Sequence, residues 1–284
     1  MPEPQHTHES LKNFWNWKEH DRYGDPGIEK VGFFRTVNPG EVENLKLNVA
    51  EQRAIGVDTR LVDAREASDI EPLMFTGDIE LAAYEPDSGY ADPNATTYGF
   101  LEGAAHFGAK IITQTEAIAL EKDESGHVSG VQTTRGTIAT RNVVVAGGAW
   151  SDRLLKTIGV DLPLRPRLAL VTVFRWPIEK EQTRKHAVVI DGTTKAWLRP
   201  EGKNCSLIGV EGGHETIDPD NFRETVDQEY IQACRDALSH RFPVFTNSTM
   251  RGYWRGVIMD SSDYHPSIDK IDEHGGLFVM TGVI

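Results

Sequence analysis

Two adjacent glycines, Gly147 and Gly148, close a short apolar run, Asn142 to Ala146, inside the stretch TIATRNVVVAGGAWSDRLL. The β-branched run predicts a strand buried on both faces, and Ser151 stands where the N-cap of a following helix would. Leu154, Leu155 and Ile158 give that helix an apolar face, and Gly159 is suited to its C′ position. Glycines at a strand-to-helix turn let the backbone lie directly against a flat or phosphorylated ligand, at the end of a sheet where open α/β folds bind ligands. The alternative is a tight turn that carries no ligand.

Other residues with chemical potential are less well placed. His6 and His8 could coordinate a metal, but they sit in a polar tail expected to be disordered. Cys205 and Cys234 lie far apart with no Cys-x-x-Cys spacing, which suggests neither a disulfide framework nor a zinc site. His214 and His265 read as surface residues.

The 284 residues suffice for one large domain or two ordinary ones, with 39% hydrophobic and 26% charged residues. A formal charge of −13, without clustered Lys and Arg, argues against a nucleic-acid surface and disfavours an anionic membrane. No apolar run approaches the roughly 20 residues that span a bilayer, and MPEPQHTHES lacks the apolar core of a signal peptide. A cytoplasmic protein with idle or buried thiols is expected.

The elements that would position the glycine turn follow from punctuation. Ser10 is suited to cap a helix carrying Leu11, Phe14 and Trp15, and Val31 to Val37 reads as a strand. Asn38-Pro39 opens a helix through Leu45 and Val49 to Gly56, and Asp63 to Glu66 has capping-box spacing. Ile79 to Tyr84 is a strand; Asp92-Pro93 opens a helix with Tyr98, Leu101 and Ala105 as its apolar stripe, stopped by Gly108. Lys110 to Leu120, Val128 to Thr133 and Thr137 to Thr140 form a β-meander. Strands follow at Leu164 to Trp176, Ala187 to Ile190, Lys195 to Leu198 and Ser206 to Val210, then a helix over Phe222 to His240. A last strand pair covers Gly252 to Met259 and Leu277 to Thr281. Helices and strands mix without the strict alternation of a doubly wound domain.

Three segments carry a likeness: EPDSGYADPNATTYGFLEGAAHFGA from Glu85, Thr113 to Leu164 around VVVAGGAWSDRLL, and YWRGVIMDSSDYHPSIDKIDEHGGLFVMTG from Tyr253. Their order and spacing resemble the FAD-dependent amino-acid oxidoreductases of the D-amino-acid oxidase superfamily, nearest the sarcosine oxidase, dimethylglycine dehydrogenase and glycine oxidase branch. The resemblance implies a mixed α/β (α+β) fold, with a partial FAD/NAD(P)-binding Rossmann-like domain and an antiparallel-sheet substrate domain. Residues 1–24 would be a tail and helix, 25–90 and 160–252 the substrate domain, and 91–159 with 253–284 an incomplete FAD-binding domain.

By the same resemblance, Glu116, Ala117 and Ile118 would lie against the adenosine of FAD. Ala146, Gly147, Gly148 and Trp150 would pack beside the cofactor, and Thr281-Gly282 would lead to the flavin ring. Trp197, Arg199 and Glu211 match positions that face a small amine or amino-acid substrate, with simple core, edge or turn roles as their alternatives. A hydride would pass from the carbon next to nitrogen to flavin, giving an imine that water hydrolyses. Arg199 is the expected cation for a substrate carboxylate, because a guanidinium forks onto a carboxylate.

The chain departs from the family in three places. Where glycine-oxidase-like members carry an arginine it has Ile258, and Arg255 is out of step for the same strand face. No Gly-x-Gly-x-x-Gly occurs, so the usual pyrophosphate cradle is missing. The family pattern also continues past Thr281-Gly282, so both ends of a complete oxidoreductase look lost. The sequence therefore supports two functions, an FAD-dependent oxidoreductase or a non-catalytic remnant acting as a binding module, and self-association is expected if a missing strand leaves apolar surface bare.

Overall fold

Side-chain caps start the helices. In the computed structural model, which describes residues 4–20, 23–177, 185–212, 216–261 and 265–282, the backbone N–H of Glu66 donates to Asp63 Oδ1 at 2.8 Å. The N–H of Asp63 donates in return to Glu66 Oε2 at 3.1 Å. This box opens helix α3 (Ala64–Ile70). Asn38-Pro39 leads through a 3₁₀ turn into α2 (Val42–Ala54), and Gly56 leaves it at φ +90°. Asp92 caps α4 (Pro93–His106) by accepting from the N–H of Ala95 at 2.7 Å.

Two N-terminal expectations change. Helix α1 (Pro4–Trp15) already includes His6 and His8, so the stretch that carries them is helical and Ser10 is an interior residue, not a cap. Helix α4 buries Gly99 and Gly103, while Tyr98 is 66% exposed. Trp17 is the reason: a Cβ at Gly99 would come within 2.6 Å of its indole, so the helix packs through its glycine face and turns the expected stripe outward.

Among the described residues the largest sheet has eight strands. In spatial order they are β14 (Thr249–Ser261), β10 (Leu164–Arg175), β13 (Cys205–Val210), β12 (Ala196–Glu201), β11 (Val188–Asp191), β2 (Phe33–Thr36), β4 (Ala82–Glu85) and β3 (Arg60–Val62). Neighbours are antiparallel except β11 and β2, which run parallel. The strands β6 (Ala117–Lys122), β7 (Val128–Thr133) and β8 (Gly136–Ala139) make the meander, and residues 110–116 before them are irregular, with Gln114 at φ +53°. A two-stranded ribbon joins β1 (Glu29–Lys30) to β5 (Gly89–Tyr90).

The last sheet is β15 (Ser267–Lys270), β16 (Leu277–Thr281) and β9 (Val143–Val145), with β16 and β9 parallel. The expected terminal strand pair is therefore not a pair. β14 runs along the whole of β10, a partner of matching length, while β16 belongs with β9. Burial of β9 on both faces is also corrected. Val145, Leu277 and Val279 face a core with Leu120, Val128 and Leu155, whereas Val144, Phe278, Met280 and Ile268 on the opposite face are 40% to 62% exposed. The pleat sends alternate residues to opposite faces, and only one of those faces is covered by the described residues.

Helix α6 (Gln228–Arg241) covers one face of the large sheet, burying Phe34, Phe174, Leu198 and Ile208 with Ile231, Cys234, Leu238 and Phe245. Residues 222–227, expected to be helical, precede it, and Asp227 takes the N-cap position. On the opposite face, at the β2–β4 end, Val42, Leu45 and Val49 of α2 pack on Val37 and Ala83. The rest of that face carries no helix among the described residues; it buries Val171, Val173 and Leu207 toward β10 and is open over the candidate substrate residues beside them.

Candidate active site

Strand register places the candidate residues. Trp197 pairs with Ile190 on one side and Gly209 on the other, while Leu198 pairs with Val189 and Ile208, whose side chains are buried beneath α6. Period-2 alternation then puts Trp197, Arg199 and, beyond the end of β13, Glu211 on the open face together. Trp197 is 38% exposed and lies across Gly209, where a Cβ would come within 2.5 Å of the indole. A platform of this kind needs glycine on the neighbouring strand.

Arg199 is half-buried and engaged. Its Nη1 donates to the carbonyl of Pro200 at 2.8 Å and pairs with Glu201 Oε2 at 2.7 Å, and its guanidinium lies over the ring of Tyr90, 4.9 Å from the centroid. Lys185 extends the cluster, donating to Glu29 Oε1 at 2.7 Å and to Tyr90 Oη at 3.3 Å. Burial lowers the Lys185 ammonium, but the bonds to Glu29 and Tyr90 prevail and leave it above the usual lysine value. The sequence had not marked Tyr90 or Lys185, since their meeting with Arg199 depends on the ribbon of β1 and β5. Glu211 is exposed, 3.9 Å from Lys195 Nζ, and its N–H donates to the carbonyl of Lys195. His214 lies outside the described residues, and His265 is exposed.

The two arginine positions on β14 behave as alternation requires. Ile258 pairs with Arg167 and Arg255 with Leu170. Arg255 Nη1 donates to the carbonyl of Arg223 at 2.8 Å, ahead of α6, on the covered side.

The glycine turn joins β9 to α5 (Ser151–Lys156) through a 3₁₀ turn, Gly148–Trp150. Ser151 is therefore the first residue of the helix and Trp150 its N-cap residue, which corrects the expected cap. Gly148 has φ +53° with open space where a Cβ would stand. The Trp150 indole N–H donates to Asp220 Oδ1 at 2.7 Å, and Arg153 binds both Asp218 and Asp220. The Trp150 bond, then the Arg153 charge, hold the Asp220 carboxyl below its usual range. Glu116 to Ile118 are exposed; beside the start of β6 the Glu116 N–H donates to Thr134 Oγ1 at 3.1 Å and the Thr134 N–H to the Glu116 carbonyl at 3.0 Å.

These residues fit the uncharged parts of FAD. The register Val279↔Val145 brings Thr281 level with Gly147, next to buried Ser151. The hydroxyls of Thr281 and Ser151 have no hydrogen-bond partner among the described residues, and buried hydroxyls normally have one. With the open Gly148 they offer the backbone and hydroxyl contacts that a flat nucleotide ring accepts. None of them supplies the charge or the run of amides that would hold the diphosphate.

Comparison with known proteins agrees. The chain is 27% identical to glycine oxidase of Geobacillus kaustophilus over 259 residues, 91% of this chain and 66% of the relative. It is 26% identical to the β subunit of sarcosine oxidase of an Arthrobacter species over 238 residues, 81% of this chain and 56% of the relative. It thus spans two thirds or less of these relatives. The crystal structure of L-proline dehydrogenase from P. horikoshii shares the fold, with a TM-score of 0.85 and 22% identity over 96% of this chain and 72% of that one. No helix among the described residues is long and apolar enough to cross a membrane. The family model for FAD-dependent oxidoreductases matches residues 5–283, and the chain belongs to that family, with its mixed α/β, Rossmann-like fold.

Proposed function

We propose that the protein acts in the FAD-dependent oxidation of the carbon–nitrogen bond of a small amine or amino acid of the glycine, sarcosine or dimethylglycine kind. The observation that carries this reading is the open sheet face on which Trp197, Arg199 and Glu211 line up, with the Gly148 turn at the carboxyl end of a separate parallel strand pair. Flavin, when bound, supplies the two-electron oxidation by accepting a hydride. Ala146, Gly147, Gly148, Trp150, Thr281, Gly282 and the strand start at Glu116, Ala117 and Ile118 would hold it. Trp197 would provide a flat wall that excludes water, Arg199 a cation for a substrate carboxylate, and Glu211 an acid at the far end of the row.

The proposed division assigns residues 25–90 and 160–252 to substrate and 91–159 with 253–284 to cofactor, except that β14 joins the large sheet as far as Ser261 and so carries residues 253–261 to the substrate part. The unpaired thiols of Cys205 and Cys234 support a cytoplasmic location. Titrating purified protein with FAD, followed by anaerobic addition of sarcosine, tests the reading. Quenching of flavin fluorescence and bleaching of its visible bands are expected. Unchanged flavin fluorescence would sink it. The exposed Val144, Phe278, Met280 and Ile268 favour the second reading, a binding module that associates through this face, and that reading then stands.

A further inference from the structure

A cavity of about 330 Å³ lies between α2 and the open face of the large sheet, next to the strand that carries Ile190. Arg35 and Glu85 form its floor. They sit on adjacent strands, and the register Phe33↔Glu85 and Arg35↔Ala83 makes them diagonal neighbours on one face. Both are half-buried, yet they form no ion pair. Among the described residues the Arg35 side chain has no hydrogen bond or salt bridge, while Glu85 accepts from the Ser88 hydroxyl through Oε2 at 2.6 Å and has Oε1 free. Burial pushes the Glu85 carboxyl up, as expected for an acid without a cation.

The opposite wall is polar for a reason visible in the sequence. Val42, Leu45 and Val49 turn one stripe of α2 into the core, and Asn44, Asn48 and Gln52 follow at four-residue spacing along the adjacent stripe. Their carboxamides make no hydrogen bond to the protein among the described residues. The cavity is thus lined by the unpaired Arg35 guanidinium, the Glu85 carboxylate without a cation, three free amides and exposed Glu41, whose Oε2 accepts from the Asn38 N–H at 3.4 Å. Two opposite charges within reach of one cavity but not of each other suit a ligand with a charge of each sign at its two ends.

We propose that this cavity is a binding site for a small amino-acid zwitterion, its carboxylate on Arg35 and its ammonium on Glu85, with the α2 amides filling the remaining hydrogen bonds. Ile190 pairs with Arg35 on one side and Trp197 on the other, so the cavity adjoins the row proposed for the reacting amine. The inference rests on the amine-or-amino-acid reading only in its choice of probe, and narrows that class to molecules bearing both charges. A simple amine leaves Arg35 unpaired, and a simple carboxylate leaves Glu85 unpaired.

The test is calorimetric titration of the full chain with sarcosine, methylamine and acetate, without and with FAD. Sarcosine should bind and the two single-charge probes should bind roughly 10-fold more weakly or not at all, since each forgoes one charge-assisted contact. Arg35→Gln and Glu85→Gln should each weaken sarcosine by roughly 10-fold or more, with Arg35→Lys intermediate, while Lys46→Gln on the outer side of α2 should leave it unchanged. Thermal melting confirms that each variant is folded. Sarcosine affinity equal to that of acetate, or unchanged in folded Arg35→Gln, overturns the proposal. Absence of sarcosine binding from a protein that still quenches FAD overturns it while leaving the flavin reading intact. Sarcosine binding that depends on Arg35 in a protein that ignores FAD upholds it without flavin.

Discussion

Replacing Asp191 by Asn should destabilise the protein more than any change on its open face. Asp191 ends β11, and its side chain and that of Arg241 at the end of α6 are both 0% exposed. Arg241 binds Asp191 through Nε at 2.7 Å and Nη2 at 3.1 Å, and Asp78 through Nη1 at 2.9 Å and Nη2 at 3.0 Å. Thr36 and Thr193 donate their hydroxyls to Asp191 Oδ1 at 2.8 and 2.7 Å. The amide keeps some of these contacts but removes a charge opposite a buried guanidinium that Asp78 only partly compensates. The expected loss is about 3 kcal/mol, at the low end of what removing one partner of a buried pair costs.

The pH dependence provides a second readout. Burial raises the Asp191 carboxyl, but the bonds and charge of Arg241, with the threonine hydroxyls, outweigh it and hold the group well below the carboxylate range. A depressed acid contributes stability above its unfolded value of about 3.9, and that contribution is lost as pH falls toward the folded value. Urea unfolding followed by tryptophan fluorescence should therefore show the gap between wild type and variant narrowing steadily below about pH 4. A gap under about 1 kcal/mol at neutral pH, or one that persists undiminished in acid, would refute the reasoning.

His186 is 1% exposed, and burial lowers its imidazole to about 4, so unfolding takes up a proton as pH falls from about 6.5 toward that value. His186→Gln should flatten the stability–pH slope in that window, and an unaltered slope would count against a neutral buried imidazole. Gly209→Ala should displace the Trp197 indole, changing its emission and lowering stability by about 1–3 kcal/mol through overpacking; unchanged emission and stability would show that the platform does not need the glycine. Val144→Lys places a charge on the bare face of β9 and should lower any concentration-dependent light scattering without lowering the melting temperature. Scattering that is equal in both proteins would locate the association elsewhere.

Local signals were the legible ones. The capping box at Asp63, the Asn-Pro and Asp-Pro openings and the glycine exits act within a few residues, so the helices they mark begin and end close to where the sequence places them. What depends on a distant neighbour was not legible. Only the position of Trp17 tells which face of α4 packs, and only the length of β10 tells that β14 belongs beside it. The alternation Phe33, Arg35, Val37 against Phe34, Thr36 held the signal for a charge on the open face, but the absence of a partner for Arg35 emerges only when α2, β4 and β11 are assembled around it. Trp197, Arg199 and Glu211 share that face because the register of β12 with β13 happens to place them there.

The order of strands in the large sheet has a consequence for biosynthesis. β10 borders β13 on one side and waits for β14 on the other, and β14 leaves the ribosome only after α6 has been made. Until then a twelve-residue edge with Leu168, Leu170 and Val171 offers unsatisfied amides to any passing strand. High contact order of this kind slows folding, so nascent chains of this protein should be clients of chaperones that shield extended edges.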